Sequence, residues 1–168
     1  MAQQIHREAN SLLKFAPEVR NVLCVGGDSL EQQFNDLQLS SADNRGPDII
    51  VATPGRLLHL LVETTLANMF KRVDRLVVIL DEADRLFEMG FKQEIEFIFQ
   101  KLGTGTAQHG DGRTASPSGR QVLLFSATLP SMLLDFAKVG LNNPSFIRLD
   151  ADAGLSPNLH VSFFTVRN

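Results

Sequence analysis

The stretch "LVVILDEADRLFEMGF", residues 76–91, drives five consecutive apolar residues into Asp81, Glu82 and Asp84. Apolar side chains that do not alternate with polar ones suit a strand covered on both faces, the habit of parallel sheets. The residues that follow, "RLFEMGFKQEIEFIFQKL", carry helical spacing. A buried strand thus delivers carboxylates to its C-terminal tip, and a helix leads away from them.

Outward from this unit the same rhythm recurs. "NVLCVGG" precedes "DSLEQQFNDLQ", with Leu30, Phe34 and Leu37 on one helical face, and "PDIIVAT" precedes "PGRLLHLLVETT". "RQVLLFSAT" precedes "LPSMLLDFAKVGL", and a fifth apolar run, "SFIRLD", comes last. Strands separated by helical patterns imply right-handed crossovers. The fold class is therefore α/β, a doubly wound parallel sheet with helices on both faces. Asp28 or Ser29 suits the cap of the helix after "NVLCVGG". Thr53 places a hydroxyl at the next cap, with Pro54 at the first helical position. Residues 103–120, "GTGTAQHGDGRTASPSGR", have no apolar period and read as a flexible insertion loop on the surface.

With 168 residues the chain is about one domain. Its 43% hydrophobic and 21% charged residues exclude a disordered polymer. A net charge of −3 excludes a globally basic footprint, so any nucleic-acid contact is expected to be local or shared with a part outside these residues. The single cysteine, Cys24, sits in an apolar run and reads as a core residue. It builds no disulfide framework and no disulfide-linked partner, which fits a reducing, intracellular compartment. No apolar run approaches the ~18 residues of a membrane span, and the N-terminus lacks a signal-peptide core, so a soluble protein is expected. His6, His59, His109 and His160 lie too far apart for a zinc pattern.

In open parallel sheets, ligands bind beyond the carboxyl ends of the strands. Four polar groups fall at such ends: Gly26 with Gly27; Thr53, Pro54, Gly55 and Arg56; Asp81, Glu82 and Asp84; and Ser126 with Thr128. An aspartate at the tip of an apolar strand is the Walker B arrangement, in which the carboxylate holds Mg²⁺ on nucleotide phosphates. On that reading Asp81 serves the metal, and Glu82 orients or deprotonates the attacking water. A bare acid pair reads better as solvated groups capping the helix that follows, but the full run "VVILDEAD" favours the metal. The helix opening at Pro54 offers free amides to an anion, with Arg56 in its first turn to grip it. An ordinary Thr-Pro cap with a surface arginine is the competing view. Gly26 and Gly27 permit close backbone approach, or simply a turn. Ser126 and Thr128 are small hydroxyls suited to bonding Asp84, or to closing a plain turn.

Taken together, "GG", "TPGR", "DEAD" and "SAT", in that order, resemble the first RecA-like domain of a DEAD-box ATP-dependent RNA helicase. The resemblance covers the chain apart from residues 103–120. It implies a RecA-like sheet of the P-loop NTPase type, with ATP and Mg²⁺ as cofactors. Asp81, through water, and Glu82 would serve Mg-ATP and the hydrolytic water. Asp84, Ser126 and Thr128 would couple ATP state to RNA. Gly26, Gly27, Thr53, Pro54, Gly55 and Arg56 would touch the RNA backbone. "DEADRLFEMGF" is most similar to the nucleolar branch that assembles the large ribosomal subunit. RNA and pre-ribosomal particles are then the expected partners, without a membrane, in the nucleus or nucleolus, with the cytoplasm as the alternative.

One family element is missing from these 168 residues: no G-x-x-x-x-G-K-[ST] phosphate loop occurs. The family places it upstream, together with an adenine-reading glutamine segment. "MAQQ" resembles the end of the next motif, so the chain reads as opening inside that motif. Residues 1–150 are expected to form a partial first RecA-like domain lacking the P-loop strand. Residues 151–168 would lead toward a second such domain. Loss of that strand should leave unpaired edges and exposed apolar faces. The polypeptide by itself is expected neither to hydrolyse ATP nor to unwind RNA. The alternative is a non-catalytic RNA- or protein-binding remnant, a weak RNA binder given its net charge and its lack of Trp and Tyr. "TPGR" and "SAT" together argue against a DNA helicase.

Overall fold

The structure, a computed structural model, describes residues 1–38, 45–64, 66, 70, 73, 75–102, 120–141 and 144–147. Residues 103–119 of the expected insertion and the segment 151–168 lie outside the described residues. Helix α1 spans Ala2–Leu12 and runs into a short 3-10 turn, Leu13–Phe15. Strand β1 (Asn21–Cys24) leads through a glycine turn to α2 (Leu30–Leu37). Strand β2 (Ile49–Ala52) leads directly into α3 (Pro54–Glu63). Strand β3 (Val77–Leu80) is followed by α4 (Ala83–Glu88) and α5 (Lys92–Lys101). Strand β4 (Gln121–Leu124) precedes α6 (Ser131–Gly140).

Every strand pairing among the described residues is parallel, and the fold is α/β as expected. The strands form two pairs rather than one continuous sheet. β1 lies on β2 with Cys24 opposite Ala52, and β3 lies on β4 with Leu80 opposite Leu124. Ser145, Phe146 and Ile147 of the fifth apolar run are not in a strand, and the rest of that run lies outside the described residues.

Local chemistry explains where the helices begin and end. The Ser29 hydroxyl accepts the Gln32 amide at 3.3 Å and caps α2. Thr53 stands at the cap of α3 with Pro54 behind it, but its hydroxyl makes no capping bond. Proline has no amide to satisfy there, so part of the need for a cap is absent. The single helix expected after Asp84 is broken into α4 and α5 at Gly90, where φ is +88°. The Gly90 amide reaches the Phe87 carbonyl at 3.0 Å and the Phe91 amide reaches the Leu86 carbonyl at 3.1 Å. That pair of bonds is a Schellman stop, which needs a left-handed residue and so favours glycine.

One hydrophobic core joins both strand pairs. Val22 and Cys24 from β1, Leu37 from α2, Leu60 and Leu61 from α3, Phe87 from α4, Ile95, Ile98 and Phe99 from α5, and Leu133 and Phe136 from α6 meet in it. The Phe136 ring lies 4.9 Å from Phe87 and 5.7 Å from Phe99, binding α6 to both helices. Cys24 is fully buried, and burial pushes its thiol up to about 11, as fits an inert core residue. Helix α1 is fastened by polar contacts: the Asn21 side-chain amide donates to the His6 carbonyl at 3.3 Å and to Asn10 Oδ1 at 3.0 Å.

The strand opening at residue 77 departs from the expected cover on both faces. Val78 and Leu80 face the core, whereas Val77 and Ile79 are 51% and 58% exposed. Phe125, just past β4, is 56% exposed. None of the described elements covers that face, so its apolar residues meet water.

Candidate functional site

The four polar groups do stand at the C-terminal tips of parallel strands, and each pairing joins two of them. At the first pair the Thr53 amide donates to the Cys24 carbonyl at 3.0 Å, extending the β1–β2 ladder to the mouth of α3. Gly27, at φ +92°, turns the chain away from β1 toward α2. The first bond inside α3 runs from the Leu57 amide to the Thr53 carbonyl at 3.0 Å. The amides of Gly55 and Arg56 precede it and have no helical acceptor. The space beside Gly26, Gly27 and Gly55 is open: a Cβ built on any of them meets nothing within 4 Å.

Arg56 behaves differently from the expected free anion grip. Its Nη1 donates to Gln33 Oε1 at 3.2 Å and its Nη2 to the Asp28 carbonyl at 3.1 Å. Gln33, only 4% exposed, donates from Nε2 to the Val25 carbonyl at 2.9 Å. Gln33 is a site residue that sequence reasoning missed. Its signal was a polar side chain on the same helical face as Leu30, Phe34 and Leu37.

At the second pair, β4 supplies the frame for the acids of β3. The Phe125 amide donates to the Leu80 carbonyl at 2.8 Å, and the Ala83 amide donates to the Phe125 carbonyl at 3.0 Å. Between them the chain turns sharply through Glu82, at φ +46° and ψ +50°. A non-glycine residue there stores strain of about 1–3 kcal/mol and is the kind of outlier that gathers at functional turns. Asp81 is exposed and accepts the Glu82 amide on Oδ1 at 3.0 Å. The Glu82 carboxylate is half-exposed and paired with Arg85 at 3.0 Å, an ion pair too solvated to contribute much.

Asp84 is the hub. Its Oδ2 accepts the Thr128 hydroxyl at 2.6 Å and the Thr128 amide at 3.0 Å, and its Oδ1 accepts the Arg85 amide at 3.0 Å. The Thr128 hydroxyl foremost, with the other donors, holds this buried carboxyl below the usual range against the opposing push of burial. Ser126 meets Asp84 by a route the sequence did not show. Its Oγ accepts the Asp84 backbone amide at 3.1 Å and donates to the Thr128 carbonyl at 2.7 Å. The two hydroxyls therefore take the amide and the carboxylate of one residue.

Among the described residues no three acidic, histidine or cysteine side chains converge on a common point. One exposed carboxylate, Asp81, suits a hard cation whose other ligands are water and phosphate oxygens, not a cage made by the protein.

Residues 1–136 match the family described as DEAD/DEAH box helicase. The chain belongs to that family. ATP-dependent RNA helicase ddx54 of Dictyostelium discoideum is 48% identical over 151 residues, covering 90% of this chain and 12% of its own length. ATP-dependent RNA helicase DBP10 of Debaryomyces hansenii is 42% identical over all 168 residues, or 15% of its own length. The chain thus spans less than a sixth of these curated relatives. Among solved structures, the yeast DEAD-box splicing factor Prp28 is similar at TM-score 0.61 and 30% identity, over 84% of this chain and 28% of its own. Mss116p, solved bound to ssRNA and AMP-PNP, is similar at TM-score 0.61 and 32% identity, over 82% of this chain and 25% of its own. These neighbours carry the RecA-like fold of DEAD-box helicases, which the strand pairs and helices described above share.

Proposed function

We propose that this chain is the ATP- and RNA-facing part of a DEAD-box RNA helicase, one that couples ATP hydrolysis to RNA binding and unwinding. The carrying observation is the Asp84 hub. Asp84 ties the turn of Asp81 and Glu82 to the turn of Ser126 and Thr128, by its amide to Ser126 and by its carboxylate to Thr128, so a change at the acids is transmitted to the neighbouring strand end. In this reading Asp81 would hold, through water, the Mg²⁺ of bound ATP, and that ion would stabilise charge on the phosphates. Glu82, strained and solvent-facing, orients the attacking water. Asp84, Ser126 and Thr128 form the coupling element. Gly26, Gly27, Thr53, Pro54, Gly55 and Arg56 form the RNA-facing edge, where the amides of Gly55 and Arg56, without a helical acceptor, and the open space beside the glycines favour phosphate over base. The names of the relatives, and ssRNA with AMP-PNP in one structural neighbour, support both ligands.

The likeness of Asp81 to Phe91 to the nucleolar branch supports work on pre-ribosomal particles in the nucleolus. Residues 1–150 make up a partial first RecA-like domain, and 151–168 the path to a second. With no phosphate loop among its 168 residues, the polypeptide by itself turns over no ATP, because phosphoryl transfer rests on positioning and charge that the loop supplies.

Two measurements on the pure chain test this. ATP turnover with and without single-stranded RNA should stay at background, and RNA-stimulated turnover would refute the inactivity. Titration with oligouridylate followed by amide NMR should move Gly26, Gly27, Thr53, Gly55 and Arg56 together. Shifts elsewhere, with those signals still, would remove the RNA-facing edge from the reading.

A further inference from the structure

Arg56 was expected to grip an anion directly, yet its fork is already engaged. One arm is on Gln33 Oε1 and the other on the Asp28 carbonyl, while the opposite end of the Gln33 amide holds the Val25 carbonyl. These bonds bracket the turn of residues 25–28 on both sides of Gly26 and Gly27. Just beyond it, Ser29 caps α2. Gln33 is 4% exposed, so if Arg56 left for a ligand, the buried Gln33 oxygen would lose the donor that satisfies it. The Asp28 carbonyl would lose its donor as well. Both acceptors are neutral oxygens held in fixed directions, so what the two arms supply is the placement of the turn.

We propose that Gln33 and Arg56 are a positioning pair. They lock the glycine turn so that its backbone is presented to an RNA phosphate, and Arg56 acts through that turn and not as a phosphate ligand. This rests on the RNA-facing edge proposed above. It adds a residue, Gln33, outside the motifs and gives Arg56 a different task within them.

The experiment compares the 168-residue chain with Gln33→Met, Arg56→Met and Arg56→Lys. It measures the affinity for fluorescein-labelled oligouridylate across a KCl series, and amide hydrogen exchange by NMR. Gln33→Glu, which keeps an oxygen toward Arg56 but loses the donor to Val25 and adds a negative charge, replaces Gln33→Met should the latter fail to fold, with its affinity read at the highest KCl, where the added charge is screened. If the pair positions the turn, each of the three substitutions weakens binding by about tenfold, the scale of one charge-assisted hydrogen bond. The salt slope stays at the wild-type value, and the amides of Gly26, Gly27 and Asp28 exchange faster. Arg56→Lys behaves like Arg56→Met, because the fork and not the charge is needed.

The proposal is overturned if Arg56→Met lowers the salt slope by ~0.7, the value of one single-strand phosphate contact, while Gln33→Met binds as the wild type does. Rescue of affinity by Arg56→Lys would overturn it too. A wild-type chain that binds no oligouridylate, with exchange still accelerated in the variants, would defeat the RNA reading. The pair would then be reduced to a structural brace.

Discussion

Asp84 is ionised in the folded chain over a wider pH range than in the unfolded one, because the Thr128 hydroxyl and amide hold its carboxyl below the usual range. A depressed folded value means that this carboxylate favours the folded state above the ordinary carboxylate range. The benefit is lost as pH falls through the depressed folded value. Thr128→Val should therefore lower the melting temperature at neutral pH, and the gap to wild type should close as melts are repeated down through the carboxylate range. A gap that stays constant in acid would mean the hydroxyl serves packing alone. The glycines divide in a similar way. Gly27, at φ +92°, should cost about 1–2 kcal/mol of stability when changed to alanine, since an L side chain resists that backbone. Gly26→Ala and Gly55→Ala meet open space and should leave the melting temperature near wild type while weakening RNA, if the backbone itself must approach the phosphate. RNA affinity that falls only where stability falls, in Gly27→Ala and not in the other two, would put fold and not contact behind the glycines. At this scale the residue types at the strand tips were legible from the sequence. The engagement of Arg56 by Gln33 and the left-handed turn at Glu82 were not, because both depend on which backbone groups arrive from elsewhere in the chain.

Elements were read well where periodicity was long and poorly where a single residue interrupts it. "RLFEMGFKQEIEFIFQKL" reads as one helix by its apolar spacing, yet Gly90 halts α4 at Glu88 and α5 begins anew at Lys92. Spacing alone does not say whether a glycine inside a helical pattern is tolerated or is a stop; that is decided by whether Phe91 gains by folding back on Leu86. Gly90→Ala should cost about 1–2 kcal/mol in chemical denaturation, because alanine resists the left-handed stop. Phe87, 2% exposed and in ring contact with Phe136, fastens the acid-bearing turn to α6. Phe87→Ala should cost about 3–5 kcal/mol. It should also broaden the amide signals of Ala83, Asp84 and Thr128, since the hub hangs on the helix that Phe87 anchors. A destabilised variant with those three signals unchanged would show that the hub stands without that anchor.

Across the whole molecule, two parallel strand pairs share one core but leave Val77, Ile79 and Phe125 open to water. Contiguous apolar surface beside strands that each have a single partner promotes association between copies. Sedimentation of the isolated chain should show concentration-dependent self-association. The double substitution Val77→Thr with Ile79→Thr should reduce it while keeping the melting temperature, because both side chains are more than half exposed. Undiminished association in that variant would place the sticky surface elsewhere. The sequence by itself determined the class of the fold, the parallel direction of its strands and the gathering of four polar groups at their carboxyl tips. Those follow from local pattern: apolar runs of strand length, helical spacing between them, and polar residues where each run stops. Only the tertiary structure decided that the strands pair two by two, that β3 is the strand whose apolar face is bare, and that Ser126 also takes the Asp84 backbone amide. It likewise decided that Gln33 and Arg56 clamp the glycine turn. Each of these depends on contacts between segments distant in the chain, whose distances and hydrogen-bond directions no local pattern encodes.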